Sequence, residues 1–341
     1  MNTKTGVGSL LLISTVMSVS AQRTTARNSQ ASGKRDVGIA IVQAKYQAPA
    51  GTGPSGFIKS QAAAGTAVLP DTSAINATAH SPSDSVTVQL QSSFPPPGSI
   101  TEDVPLDAIG ASLLTLGNGV RVILKPTKFQ PGQVIFHAFS PGGSSLYDDN
   151  NYQSASHASD FINRSGLANL DASQFSRFME GSQLEVNTYI EERMEGLAGH
   201  NATSEMEKAL QLIHLSFTSP RKDTAVFRET LNQYHLVLEE AQRNAMSSFN
   251  DSASAWLWNY NPRRSRLTPA KVNQLNLDRM FKIYNDRFGD ASDFVFVFVG
   301  NFDKATIRPL LENYLGSLPG TGRQETPRDY AVRIPPGRIR K

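Results

Sequence analysis

The chain has 341 residues, with 33 Lys and Arg against 30 Asp and Glu, and it contains no cysteine. This length allows two or three domains, or one large domain with a tail. Without cysteine, a disulfide scaffold, a thiolate zinc site and cysteine-based catalysis are excluded. The near-even charge gives no reason to expect a nucleic-acid partner.

The first 21 residues have the pattern of a secretory signal peptide. Lys4 is followed by an apolar stretch from Leu10 to Val16 and by small residues that end at Ala21. We therefore expect a signal peptide over residues 1–21 and an exported protein, in the periplasm or outside the cell. The apolar stretch is too short to cross a membrane, and no later stretch of about 20 apolar residues predicts a membrane span.

Residues 22–107 have a different composition from the rest of the chain. They are rich in Ala, Ser, Thr, Gly, Gln and Pro, as in the stretches 50–56 and 61–67. A segment with so few apolar residues cannot bury enough surface to offset the entropy lost on ordering. We predict that it is disordered.

From residue 108 onward the pattern is that of a folded domain. Alternating apolar residues around Asn118-Gly119 predict a β-hairpin. The continuous apolar run 294–299 predicts a strand buried on both faces. Since the strands cluster in hairpins, we predict an α+β domain over residues 108–322, an antiparallel sheet with helices packed on one face, followed by a linker over 323–341. Further strands are predicted at 133–140, 184–190 and 193–198, and helices at 152–164, 172–180, 206–217, 223–241, 277–288 and 303–314.

A series of short motifs runs through residues 110–320, and it includes Leu116–Gly119, Ser140–Gly143, Leu210–Phe217, Asp293–Phe302 and Tyr314–Pro319. In this order and spacing the motifs resemble one half-unit of the insulinase/pitrilysin family of zinc peptidases. The resemblance implies repeated α/β units that close around a peptide substrate. In the catalytic unit, an H-x-x-E-H helix binds Zn²⁺ through its two histidines, and the Glu activates water.

The corresponding helix of this chain departs from that motif. The resemblance places His157 at the first ligand position and Asp160 at the position of the base, while Phe161 replaces the second ligand. A phenyl ring has no lone pair for zinc, and catalytic zinc needs about three protein ligands and a water. Only a carboxylate near Glu239 or Glu240 could add a ligand. We therefore predict no catalytic, metal or cofactor site and no zinc bound by this chain alone.

These observations predict a non-catalytic unit of an insulinase/pitrilysin-like peptidase. Such a unit contributes to the substrate chamber or pairs with a catalytic half or another homologous unit, so its expected partners are that unit and a peptide substrate. We expect a large apolar patch where the missing unit docks. The resemblance also implies a chain shorter than the family pattern.

Two alternatives remain open at this stage. One is an active zinc endopeptidase with a degenerate site that uses His157 and Asp160. The other is a stand-alone peptide-binding or envelope interaction domain.

Overall fold

A computed structural model describes residues 96–331, 333 and 334 of the chain. The predicted signal peptide and residues 22–95 therefore lie outside the described residues. The strands are β1 (Ile100–Leu106), β2 (Ala111–Leu116), β3 (Arg121–Pro126), β4 (Gln133–Pro141), β5 (Glu185–Ile190), β6 (Met194–Ala202) and β7 (Val295–Gly300). The helices are α1 (Asp149–Arg164), α2 (Ala172–Met179), α3 (Met206–Thr218), α4 (Thr224–Gln242), α5 (Ala245–Leu257), α6 (Pro269–Val272), α7 (Leu277–Phe288) and α8 (Lys304–Tyr314).

The strands form one sheet in the order β1-β2-β3-β7-β4-β6-β5. The predicted α+β class is confirmed, but the sheet is mixed and not purely antiparallel, because β3 and β7 pair in parallel from Arg121↔Val295 to Pro126↔Gly300. The other neighbouring strands are antiparallel. Local hairpin patterns predict antiparallel pairing only, whereas β3 and β7 are joined by most of the domain.

The core lies between the sheet and the helices. Phe136, Phe296 and Phe298 point from the central strands toward the helices and are fully buried. Phe296 meets α3 at Phe217, with ring centroids 6.1 Å apart, and the residues of α3 are buried around most of its circumference. The aromatic side chains of Phe217 and Phe294 pack edge to face with ring centroids 4.9 Å apart. Rings in this geometry add to the stability gained from burial alone.

Alternate residues of the central strands lie on the opposite face of the sheet and keep part of their surface exposed. On β7 these residues are Val295, Val297 and Val299, which are half-buried. The prediction that this strand is buried on both faces was therefore wrong. Its valines face away from the helices, and a run of apolar residues cannot distinguish a strand covered on both faces from one covered on a single face.

The ordered domain begins earlier than residue 108. Strand β1 lies within the segment predicted to be disordered, and it pairs with β2 from Ile100↔Leu116 to Leu106↔Ala111. Most of its residues are exposed. As an edge strand with little apolar surface, β1 has no alternating pattern from which to predict it. The predicted hairpin at Asn118-Gly119 is confirmed by the antiparallel pairing of β2 with β3.

The helical layer contains one long element that was not predicted, helix α5. Its side-chain N-cap is Asn244, which accepts hydrogen bonds from the backbone N–H groups of Met246 and Ser247. Helix α1 packs against α7, and its small residues Ala155 and Ala158 are fully buried. Across residues 96–331 and 333–334, no helix has the length and apolarity needed to cross a membrane.

The C-terminal residues follow the surface of the domain. We call residues 320–331 the strap. They form no helix or strand, but side chains tie them to the domain along most of their length. The Thr321 N–H donates to Asp290, Arg328 N–H donates to Ser145, and the Tyr330 hydroxyl donates to the Tyr147 carbonyl. Part of the segment predicted as a linker is thus docked.

Candidate functional site

Helix α1 carries the residues that the resemblance places at the family's metal-binding motif. The carboxylate of Asp148 caps its first turn by accepting from the Asn151 N–H, and the helix then runs without interruption to Arg164. His157 and Phe161 are four residues apart, so their side chains lie on the same side of the helix, with Asp160 beside them. Sequence and fold therefore bring these three residues together.

Phe161 is part of an aromatic cluster between α1 and α4. Its side chain is 1% exposed. The ring lies 5.0 Å from the ring of Phe227 and 6.0 Å from that of Tyr234, measured between centroids. The edge of Tyr234 also faces His157, at 6.1 Å. The surface of α1 that would present a second ligand is thus covered by aromatic rings of α4.

His157 is held by its own helix. Its Nδ1 lies 2.9 Å from the Gln153 carbonyl oxygen and 3.0 Å from the Ser156 hydroxyl. A carbonyl oxygen can only accept, so Nδ1 carries the ring proton and Nε2 keeps its lone pair. Burial lowers the pKa of His157, which keeps the ring neutral at physiological pH. The imidazole could therefore supply one nitrogen ligand.

The remaining candidate ligands do not complete a zinc site. Glu239 and Glu240 lie exposed near the C-terminal end of α4. Among the described residues, no three His, Cys, Asp or Glu side chains are grouped closely enough to hold a metal ion. One imidazole beside an aromatic cluster does not fit the three-ligand geometry of catalytic zinc. That this chain binds no zinc stays a prediction for metal analysis to test.

A second candidate site is the face of the sheet that points away from the helices, which we call the open sheet face. Cross-strand partners place its side chains in continuous rows, for example Ile123 beside Val297 and Val297 beside His137. Ile135 is 41% exposed there. The apolar members are Val104, Leu113, Ile123, Ile135, Phe139, Val295, Val297 and Val299. A sheet face this apolar is typical of one that another element covers.

His137 and Tyr189 form a polar pair on the open sheet face, toward its β5 edge. Their rings stack 5.6 Å apart, and the Tyr189 hydroxyl lies 3.0 Å from His137 Nε2. The same hydroxyl donates to the Ala138 carbonyl oxygen at 3.1 Å. Burial lowers the pKa of His137, so the ring is neutral and the face carries no charge at this point.

A third feature is a row of exposed apolar side chains where α4 meets α5. Leu236 and Val237 precede the connection, Met246 and Phe249 follow it, and all four are more than half exposed. Sequence reasoning missed this surface because α5 was not predicted. The signal was nevertheless present, since Asn244 is a strong N-cap and Met246, Phe249, Ala253 and Trp256 have helical spacing.

Comparison with known proteins bears on the identity of this fold. No family model matches the chain. A zinc protease PQQL-like protein of Arabidopsis thaliana is 26% identical over 247 residues, which are 69% of this chain and 22% of that protein. The periplasmic protease PqqL of Escherichia coli superposes with a TM-score of 0.61 at 19% identity, over 71% of this chain and 27% of that one. An inactive domain of peptidase M16 from Pseudomonas fluorescens superposes with a TM-score of 0.50 at 15% identity, over 64% of this chain and 54% of that one.

The matched region spans about a quarter of the length of the PQQL-like relatives. The motifs between residues 110 and 320, the mixed sheet with helices on one face, and the similarity to zinc proteases agree with one another. The chain is thus similar in sequence to zinc proteases of the PQQL type and in fold to units of peptidase M16, which supports its resemblance to the insulinase/pitrilysin family.

Proposed function

We propose that this chain is a non-catalytic unit of an insulinase/pitrilysin-like peptidase, which pairs with a homologous unit and forms part of the chamber wall around a peptide substrate. The observation that carries the proposal is the packing of Phe161 against Phe227 and Tyr234 at the position of the second metal ligand. A ring buried in this way cannot be exchanged for a zinc ligand by a change of rotamer, because the core around it is close-packed.

The open sheet face supports the pairing part of this proposal. An α+β domain of two layers covers one face of its sheet with helices, and a second apolar face needs another cover to leave water. Val297, Ile123 and Ile135 lie on that second face. The PQQL-like relatives are far longer than the region matched here. A homologous unit laid against the open sheet face would bury these side chains.

A second candidate function is a zinc endopeptidase with a degenerate site. It is favoured by one observation, the neutral imidazole of His157 with a lone pair on Nε2 beside Asp160. The two functions differ in metal content and in cleavage. We expect purified protein to leave an unstructured peptide substrate intact and to be unaffected by a chelator. Chelator-sensitive cleavage that His157→Ala abolishes would establish the second function instead.

Pairing can be tested with the chain itself, since a second copy is a homologous unit. Sedimentation velocity between about 1 and 100 µM should show self-association of the wild type, and Ile135→Lys should reduce it by placing a charge on the open sheet face. The control is Phe129→Lys, since Phe129 is 85% exposed in the loop between β3 and β4, off this face. A wild type that stays monomeric throughout, or a control that behaves like Ile135→Lys, would count against the proposed surface.

We also propose that the protein is exported to the periplasm. The support is the signal-peptide pattern of residues 1–21 and the similarity of the fold to the periplasmic protease PqqL of E. coli. Export with cleavage after Ala21 predicts a mature protein that begins at Gln22. Mass spectrometry of the N-terminal peptide tests this, and a cell-associated protein that retains residues 1–21 would contradict it.

A further inference from the structure

The strap runs along the surface of the domain as an extended peptide would. We call the surface beneath it, which is built around Arg287 and Arg263, the groove. Its residues alternate between half-buried and exposed from Arg323 to Arg328, so that Arg323, Glu325 and Pro327 point inward. Backbone pairing with a strand is absent from these described residues, and side chains make most of the contacts. Alternating side-chain contacts are how extended peptides are recognised on protein surfaces.

The first half of the groove is built around Arg287 of α7, whose side chain is 2% exposed. Two of its nitrogens donate to the Glu325 carboxylate, over 2.5 Å and 3.0 Å. Such a bidentate ion pair between a guanidinium and a carboxylate is strong, and it fixes the relative orientation of the two groups. Next to it, Asp286 accepts from Arg323, and Asp290 accepts from the Thr321 N–H.

The second half of the groove is built around Arg263, whose side chain is also 2% exposed. Its guanidinium carbon lies 3.6 Å from the ring centroid of Tyr330 and 4.6 Å from that of Tyr152. The guanidinium is thus sandwiched between a ring of the strap and a ring of α1. Stacking of this kind favours an aromatic side chain at this position of the bound segment.

The walls of the groove have partners that do not depend on the strap. Arg287 also donates to Asp286 and to the Tyr147 hydroxyl, and it lies 3.5 Å from Glu195. Arg263 donates to Asp149 and to the Tyr147 carbonyl. When the strap is lifted, both guanidinium groups keep a carboxylate counter-ion. The groove is therefore built by the domain, and the strap fills it.

From this arrangement we propose that the groove lined by Arg287 and Arg263 is a peptide-binding site, occupied in this structure by the chain's own strap, and that it accepts an extended segment of a second polypeptide with the same pattern. The pattern is a basic residue, an acidic residue two positions later and an aromatic residue five positions after that, as in Arg323, Glu325 and Tyr330. Five extended residues reach at most about 17 Å, which sets the spacing between the two anchor points.

The test uses the full chain and a synthetic peptide of residues 320–331, blocked at both ends and labelled for fluorescence anisotropy. In the variant Glu325→Ala/Tyr330→Ala the strap loses both anchors, while Arg287 and Arg263 are unchanged. We expect this variant to bind the peptide at least tenfold more tightly than the wild type does. A peptide with Gln in place of Glu325 should bind the variant at least tenfold more weakly.

Equal binding of the peptide by the two proteins would overturn the proposal, and so would equal binding of the Glu and Gln peptides. If the circular dichroism spectrum of the variant differs from that of the wild type, the variant is misfolded and cannot be used. The proposal is then tested by hydrogen exchange of the wild type with and without peptide. Saturating peptide should then accelerate exchange of the hydrogen-bonded amides of Thr321, Arg323 and Arg328 at least tenfold, because it displaces the strap. Exchange that is unchanged by peptide would overturn the proposal.

Discussion

The aromatic packing of Phe161 makes a quantitative prediction for the variant Phe161→Ala. The ring is fully buried, and it contacts Phe227 at 5.0 Å and Tyr234 at 6.0 Å. Removing a buried phenylalanine ring costs about 3–5 kcal/mol, since the apolar burial is lost and a cavity remains. Two aromatic contacts place this site above the lower end of that range. We expect the free energy of unfolding to fall by about 4 kcal/mol.

Urea denaturation followed by circular dichroism measures this loss, and Phe129→Ala is the matched control. Phe129 is 85% exposed, so the same substitution should change the free energy of unfolding by less than about 0.5 kcal/mol. A loss below about 1.5 kcal/mol for Phe161→Ala would refute the reasoning, because that ring would then lie outside a packed core. The position would in that case be open enough to accept a ligand.

Three further predictions concern charge, backbone and the sheet edge. Burial raises the pKa of Glu195 to about 8, an effect that Arg287 partly offsets. Below this pH the folded protein keeps a proton that the unfolded chain has released. The free energy of unfolding therefore falls as pH rises toward 8, by at most about 1.4 kcal/mol per pH unit. Urea titrations between pH 6 and 8 should show this slope in the wild type and a shallower one in Glu195→Gln, whereas equal slopes would exclude Glu195 as its source. Gly143 and Gly132 both have positive φ, but their surroundings differ. A Cβ added at Gly143 would collide with the Glu191 carbonyl oxygen and lie 2.6 Å from the Met194 nitrogen, whereas a Cβ added at Gly132 would have no atom within 4 Å. Gly132→Ala should lower the free energy of unfolding by about 1–2 kcal/mol in thermal or urea unfolding, and Gly143→Ala should lower it clearly more. Equal losses in the two variants would contradict the steric clash inferred at Gly143. Asn163 donates to the Thr188 carbonyl oxygen and accepts from the Thr188 hydroxyl at the edge strand β5. Asn163→Ala should therefore lower the free energy of unfolding by about 1–3 kcal/mol. An unchanged value would mean that these two hydrogen bonds do not stabilise the edge strand.

Much of the fold could be predicted from local patterns. The Asn118-Gly119 turn, the alternation on both sides of it and the helical spacing of Met280, Tyr284 and Phe288 depend on residues close in sequence. Those elements are present with nearly the predicted bounds. Features that depend on distant residues could not be predicted in this way. The parallel pairing of β3 with β7 is one, because no local pattern sets the relative direction of strands separated by most of the domain.

Strand β1 and the strap were missed for a related reason. Neither has the apolar periodicity from which secondary structure is predicted. Strand β1 is ordered by backbone pairing with β2 and by the Ile100 N–H, which donates to Glu312. The strap is ordered by ion pairs such as Glu325 with Arg287. Both depend on partners that only the folded domain brings near.

The candidate site likewise has one feature that could be predicted from the sequence and others that depend on the fold. That Phe161 cannot bind zinc follows from its chemistry and was evident from the sequence. The sequence did not indicate that Phe227 and Tyr234 of α4 would surround the ring, since the spacing of aromatic residues on one helix does not identify the helix that they face. From the sequence we expected an apolar patch but could not say where it lies, and that a unit docks on the open sheet face stays a prediction. Its position follows from the register of seven strands.

Zinc content is the measurement that bears most directly on the proposed non-catalytic function. The purified chain would be dialysed against trace zinc and then analysed for metal by elemental analysis, with His157→Ala as the matched control. We expect well below one equivalent of zinc per chain and the same value for the control. About one equivalent in the wild type, lost in His157→Ala, would contradict the proposed function and would show that this helix holds a metal despite Phe161.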